Sequence, residues 1–426
     1  MRPILQVALD FLNLKRAIKV AKESVAGGAD WIEVGTPLIK SEGLDSVRKI
    51  KKLFPDHRVV ADMKAMDTGR LEVEAAAKAG ADIVVILGVA DNSTIKEAVE
   101  AGRNHGCEIM VDLIGVKDMV DRANEVESFG VDYICVHLGI DQQMRGLNPI
   151  SELKSISQKV KLPLAIAGGI NSETIVEAVN SGASIIIVGG AITKAEDAEK
   201  ATALIKNSIK SGKKIKTRLY KKYTDPLKAF MKVSTANISD AMHRRGNMEG
   251  IKALTGYRMV GTAVTVRTYP GDWAKPVEAI DLAKEGDVIV IDAGGTGNAV
   301  WGELASWSCR KKKISGVVID GSIRDLEGIK KIRFPAFSRL ISPTAGEPRG
   351  FGEINVPIKC GNVLVRPGDY IIGDPDGVVV VPKENAVEIA NRAIDVMEKE
   401  NRIRKEIQKG STLSKVMEIK KWEKVH

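Results

Sequence analysis

The first half of the chain alternates short apolar runs with amphipathic stretches. The runs Ile4–Leu9, Trp31–Gly35, Val59–Lys64, Ile83–Leu87, Glu108–Leu113, Tyr133–Leu138, Pro163–Gly168 and Ile185–Gly190 have the length and β-branched content of strands. Between them, stretches such as Glu72–Ala79 and Ser172–Val179 carry helix-forming Ala, Glu and Lys. Strand starts recur roughly every 22 to 30 residues, the size of one strand–helix unit. Eight such units predict a closed (β/α)8 TIM barrel over residues 1–211. A doubly wound sheet is the alternative, and the count of eight favours closure.

Ser211–Arg218 is basic and lacks an apolar period. It reads as a solvated linker over residues 212–227, with nucleic-acid binding the less favoured reading. The second half changes rhythm. Val233–Arg244 has a helical pattern, and short β-rich runs follow at Met259–Arg267, Val288–Asp292, Gly316–Asp320 and Asn362–Val365. A charged helical tail is expected from Lys383 to Trp422, broken at Gly410-Ser411. Residues 228–426 are therefore expected to form a mixed α/β domain with a helical C-terminal extension.

Composition narrows the class. The 426 residues are 44% hydrophobic, enough for two cores, and only 4% aromatic, so those cores are mostly aliphatic. No apolar run reaches membrane-span length, and the N-terminus runs directly into a strand pattern, so a cytoplasmic protein without a signal peptide is expected. Cys107, Cys135, Cys309 and Cys360 have neither disulfide nor zinc spacing. The net charge of +9 suits phosphorylated substrates or RNA, and a solvated Lys/Glu surface explains it as well. The 28% charged content hints at a thermophile.

Candidate chemistry gathers at the carboxyl ends of the predicted barrel strands. In Asp62-Met63-Lys64-Ala65-Met66-Asp67, strand alternation puts Asp62 and Lys64 on one face, and Asp67 follows in the loop. Glu33 and Asp62 at adjacent strand ends offer oxygens to a hard cation such as Mg²⁺. His137 ends the sixth strand and suits proton transfer. Gly168-Gly169 and Gly189-Gly190 end the last two strands, where this fold habitually binds phosphate. Each feature alone has a bland reading: a surface ion pair, a structural histidine, a tight turn.

These motifs, from Gln6-Val7-Ala8-Leu9-Asp10 through Asp62–Gly69 to Val188–Ile192, resemble the 3-hexulose-6-phosphate synthases of the orotidine monophosphate decarboxylase superfamily. Related 3-keto-gulonate 6-phosphate decarboxylases carry arginines where this chain has Gly139 and Ala191. The resemblance implies a reversible aldol condensation of ribulose 5-phosphate with formaldehyde to 3-hexulose 6-phosphate. It further implies Mg²⁺ (or Mn²⁺) on Glu33 and Asp62, Lys64 as fixed positive charge and His137 for proton transfer. Asp10 and Asp67 would orient Lys64 and the substrate hydroxyls, with Asp67 donated across a homodimer interface. A sugar-phosphate decarboxylase is the alternative within the superfamily, and a non-catalytic regulator of RNA metabolism the alternative outside it.

In the second half, the loop Gly294-Gly295-Thr296-Gly297-Asn298 follows an apolar run, and Val317–Asp325 ends in Arg324-Asp325. With Ser234–Ala241, Pro367–Asp369 and Asp374–Val378, these resemble the family shared by the regulator of ribonuclease activity A and the 4-hydroxy-4-methyl-2-oxoglutarate aldolases, a swivelling β/α/β type of domain. The resemblance implies an oxoacid site at the glycine loop and Arg324, a second divalent metal at Asp325, and further homo-oligomerisation. A ribonuclease or RNA partner is the reading from the regulator branch. Glu303 stands 21 positions before Arg324, where the aldolases place Asp, so a binding role is favoured over turnover.

Overall fold

The structure is a computed structural model that describes residues 2–417 and 419. Contacts divide the chain into two units, Met1–Lys222 with Glu398–His426, and Tyr223–Met397.

In the first unit, eight parallel strands close into a barrel: β1 (Ile4–Leu9), β2 (Trp31–Val34), β3 (Arg58–Ala65), β4 (Ile83–Leu87), β5 (Glu108–Asp112), β6 (Tyr133–His137), β7 (Leu164–Ala167) and β8 (Ala183–Val188). β1 pairs with β8 through Ile4 opposite Ile185, which completes the ring. Strand alternation sorts the side chains into two cores. Leu5, Val7 and Leu9 pack outward against the helices, as do Val59, Ala61, Ile134 and Val136. Ala8, Val60, Met110 and Cys135 pack inside the barrel. The inward parity therefore belongs also to Gln6, Asp10, Glu33, Asp62, Asp112 and His137, at or near strand ends.

β3 is irregular at one place. Its register against β4 shifts between Ala61 and Ala65, and Lys64 sits there with φ of 47°. A non-glycine residue in the left-handed region costs about 1 kcal/mol or more.

The division differs from the expected boundaries at 211 and 228. The first part of the expected linker packs on the barrel: Ile215 exchanges hydrogen bonds with Ser172 (3.1 and 2.8 Å), and Thr217 N donates to Glu173 (2.9 Å). Lys214 and Lys221 find Glu177 and Glu173 at 3.6 and 3.4 Å, while Lys213, Lys214, Lys216, Arg218 and Lys221 stay exposed to solvent as expected for the basic run. The charged tail is likewise not wholly an extension of the second domain. Within the long helix Ala386–Gln408, Arg402 pairs with Glu23 at 3.2 Å and Glu406 with Arg16 at 3.2 Å. A short helix, Leu413–Met417, follows the break at Gly410, and the expected stretch up to Trp422 runs past the described residues.

The second unit holds a mixed sheet. Met259–Arg267, Val288–Asp292, Gly316–Ile323 and Ala336–Ile341 run parallel in its centre, and antiparallel Tyr370–Asp374 and Gly377–Val381 extend one side. The Asp374-Pro375-Asp376-Gly377 motif is the turn that closes this hairpin. No described helix is long and apolar enough to cross a membrane.

Candidate active site

The carboxyl ends of the barrel strands open into a cavity of about 490 Å³. Asp10, Glu33, Asp62, Lys64 and His137 line it, and so do both glycine pairs. Small inward residues, Ala8 and Ala167, leave the room that the cavity occupies.

Asp112, at the end of β5, joins the polar groups. Its Oδ2 lies 2.9 Å from Lys64 Nζ and 2.8 Å from His137 Nδ1, and its Oδ1 accepts from Ile114 N. Burial opposes its charge, but His137 and Lys64 outweigh burial and hold its carboxyl below the usual carboxylate range. Lys64 also reaches Asp62 at 3.1 Å. Burial works against its ammonium, but Asp62 and Asp112 prevail, so Lys64 stays charged. These bonds account for the persistence of its strained φ. With Nδ1 engaged by Asp112, His137 keeps Nε2 for another partner.

Glu33 and Asp62 are nearly fully buried, at 6% and 5% exposed. Gln6 Nε2 donates to Glu33 at 2.6 Å, and Thr36 Oγ1 donates to Asp62 Oδ2 at 2.8 Å, so each carboxylate is oriented. Burial, then Asp62 and Asp10, push the Glu33 carboxyl well above its ordinary value. Asp10, accessible from the cavity but ringed by protein, is raised by desolvation and by Asp62. This acidic mouth is under-compensated by Lys64, and Gln6 Oε1 is buried with no hydrogen-bond partner among the described residues. No set of three His, Cys, Asp or Glu side chains among the described residues could hold a metal by itself. The donor set is thus two carboxylates, which fits Mg²⁺, an ion usually held by one or two carboxylates with waters and substrate oxygens in the other positions.

At Gly168, φ is +107° and a Cβ would lie 2.6 Å from the Leu138 carbonyl oxygen, so only glycine fits that turn. Asp67 is not brought to the cavity. It is exposed, and its carboxylate accepts from Thr68 N at 2.7 Å.

Sequence reasoning passed over Asp112, Gln6 and Thr36. The signal for Asp112 was available, since it ends a strand with the same inward parity as Asp62. Gln6 and Thr36 show their roles only through the carboxylates that they bind.

In the second unit, Arg324 Nε lies 3.4 Å from Asp325 Oδ2, which also accepts from Glu303 N at 3.3 Å. Asp325 has φ of 61°. The glycine loop spends its first amides internally: Gly294 N donates to Asp292 Oδ1 and Gly295 N to the Asp320 carbonyl. These two N–H groups are therefore not offered to an anion, contrary to the expected cradle. Gly297 and Asn298 complete the loop, where the Gly297 carbonyl accepts from Ser322 Oγ at 2.6 Å.

Residues 3–205 match the family described as Orotidine 5'-phosphate decarboxylase / HUMPS family, and residues 235–380 match the RraA-like family, described as Aldolase/RraA. The chain is 45% identical over 209 residues to a 3-hexulose-6-phosphate synthase of Bacillus subtilis, a match that covers 49% of this chain and 99% of the relative. For the synthase of Mycobacterium gastri the identity is 42% over 205 residues, covering 48% and 99%. Among solved structures, the 3-hexulose-6-phosphate synthase of Salmonella typhimurium is 37% identical with a TM-score of 0.48, covering 49% of this chain and all of that one. Through its barrel the chain belongs to the orotidine 5'-phosphate decarboxylase / HUMPS family, among the 3-hexulose-6-phosphate synthases, and it carries a fused RraA-like domain.

Proposed function

We propose that the barrel catalyses the reversible aldol joining of ribulose 5-phosphate and formaldehyde to 3-hexulose 6-phosphate. The observation that carries this reading is the Lys64–Asp112–His137 array facing an acidic, cation-suited mouth in one cavity. His137 Nε2 takes the C1 proton of ribulose 5-phosphate, while Asp112 holds the ring by Nδ1 and stabilises the imidazolium. Lys64, kept charged by two carboxylates, faces the enediolate that develops. The C1 carbon then attacks the formaldehyde carbon, and the new alkoxide takes back the proton carried by His137 Nε2. Mg²⁺ or Mn²⁺ on Glu33 and Asp62, when bound, would polarise the substrate oxygens. The glycine pairs leave room for the phosphate, and Gly139 and Ala191 disfavour the decarboxylase alternative. Asp67, exposed as Met66 and Leu71 are, would serve a second copy in a homodimer. Loss of formaldehyde on incubation with ribulose 5-phosphate and Mg²⁺ is the test, and its absence would overturn the reading.

The Glu33 shift gives a stability prediction. A folded-state pKa above the unfolded one favours folding at low pH, and that contribution is lost as pH rises from the ordinary glutamate range through the raised value. A cation on the two carboxylates relieves the repulsion. The metal-free protein is therefore expected to lose stability as pH rises above the ordinary glutamate range, and Mg²⁺ at about a hundred times its Kd to restore about 2.7 kcal/mol. Thermal melts in EDTA and in Mg²⁺ at mildly acidic and mildly alkaline pH check this; a metal-induced rise larger at the lower pH would contradict it.

For residues 235–380, we favour a binding role of the ribonuclease-regulator kind over oxoacid turnover. The internally used amides of Gly294 and Gly295, and Glu303 in place of Asp, support this. Wild-type protein with a divalent metal is expected to release no pyruvate from 4-hydroxy-2-oxoacids, and Arg324→Ala to leave formaldehyde fixation unchanged. Robust metal-dependent pyruvate release that Arg324→Ala eliminates would establish the aldolase alternative, with its metal at Asp325.

A further inference from the structure

Gly190, in the turn after β8, is covered by an aromatic ring. A Cβ at this position would meet Tyr220 ring carbons at 2.3 and 2.6 Å, so the ring lies flush on the turn and forms one wall of the cavity. Tyr220 belongs to the segment that packs on the barrel beyond the family-matched residues 3–205. It is held from several sides. Its hydroxyl donates to Gln143 Oε1 at 3.0 Å, its N–H to Glu398 Oε1 at 2.8 Å, and its carbonyl accepts from Asn171 Nδ2 at 3.3 Å. The residue is 7% exposed and has φ of +53°, a conformation that a bulky side chain adopts rarely. Strain of this kind persists where the surroundings over-determine it, and it gathers at ligand clamps.

Two ammonium groups meet this ring. Lys222 Nζ lies 4.0 Å from its centroid and Lys194 Nζ 5.2 Å. Lys194 itself lines the cavity, which no arginine does. Lys194 thus brings an ammonium to the β8 turn, where Asp10 Oδ2 lies 3.5 Å from a Cβ built at Gly189, while the other carboxylates and Lys64 stand over β2 to β6. A ring face attracts cations and fixes where they stand.

We propose that Lys194 and Tyr220 form the phosphate-recognising wall of the barrel's cavity, with Lys222 against the ring outside the lining. Lys194 contacts the phosphate of the bound sugar, and Tyr220 is a positioning residue that holds Lys194 and closes that end against water. Lys222 strengthens the field from behind the ring. This rests on the reading that the barrel takes a sugar phosphate, and it adds to the shared barrel a recognition element encoded after it.

The test uses the full chain with Lys194→Ala, Tyr220→Leu and Tyr220→Phe. Steady-state kinetics are combined with calorimetric binding of ribulose 5-phosphate, with inorganic phosphate as competitor. Lys194→Ala and Tyr220→Leu are each expected to raise KM and Kd for ribulose 5-phosphate at least about tenfold, the scale of a lost charge-assisted contact. The KM for formaldehyde and kcat should change by less than about threefold. Tyr220→Phe keeps the ring and should recover most of what Tyr220→Leu loses. Inorganic phosphate should compete with ribulose 5-phosphate in the wild type and far more weakly in Lys194→Ala, a variant on the cavity wall that does not depend on repacking. Formaldehyde fixation with a KM indifferent to both residues would overturn this proposal and leave the aldol reading intact. Lys194-dependent binding of ribulose 5-phosphate without any formaldehyde loss would do the reverse.

Discussion

Asp62→Ala and Glu33→Gln are each expected to abolish formaldehyde fixation, lowering kcat/KM by more than about a thousandfold while the fold is retained. Each removes one of the two oxygen donors to which the cation is assigned at the mouth. Glu33→Gln separates chemistry from architecture. The neutral amide keeps the shape and can still bond Gln6, yet it removes the buried charge whose desolvation, and repulsion by Asp62 and Asp10, raise the Glu33 carboxyl. Activity should fall while the metal-free melting temperature at about pH 8 holds or rises. EDTA should reproduce the loss in wild type, and added Mg²⁺ should reverse it. Full activity in metal-free protein would sink the metal assignment.

Asp112→Asn should lower kcat by about a hundredfold to ten-thousandfold, with the KM for ribulose 5-phosphate within a few-fold of wild type. One oxygen of Asp112 serves both Lys64 and His137. Asparagine preserves the volume and the bond from Ile114 but removes the charge that balances both groups. Lys64 retains Asp62, so the larger effect falls on His137, whose ring loses its tautomer and its orientation. A buried pair broken by removing one partner costs about 3–5 kcal/mol, so circular dichroism must accompany the kinetics. Wild-type kcat in a folded Asp112→Asn protein would exclude His137 as a base held by Asp112.

The barrel was legible because its two periods reinforce each other. Alternation inside each strand put Glu33, Asp62 and His137 on the inward face, and the strand–helix repeat put their ends at one mouth. Asp112 satisfied the same rule and was passed over, because no motif surrounds it and a lone strand-end acid resembles any other. The left-handed φ of Lys64 has no signature in a residue of that type. Tyr220 was hidden by its neighbours, since one aromatic in a lysine-rich run reads as solvated chain. The C-terminal helix misled for a related reason: alternating charges look like a surface, and only partners such as Glu23 and Arg16, hundreds of positions away, reveal that they are paired.

Those distant partners also bear on how the protein comes to be made. The barrel unit is discontinuous, and residues 223–397 are an insertion between its two pieces. A chain emerging from the ribosome carries all eight strands long before Arg402 exists to meet Glu23. The nascent barrel must therefore wait, with part of its surface and the Tyr220 amide unmatched, while the whole inserted domain is synthesised and folds. Closing a loop of that length costs little more than closing a short one, so the delay is set by translation rather than by entropy. A premature stop near codon 398 would spare the inserted domain and damage the barrel whose strands were finished first.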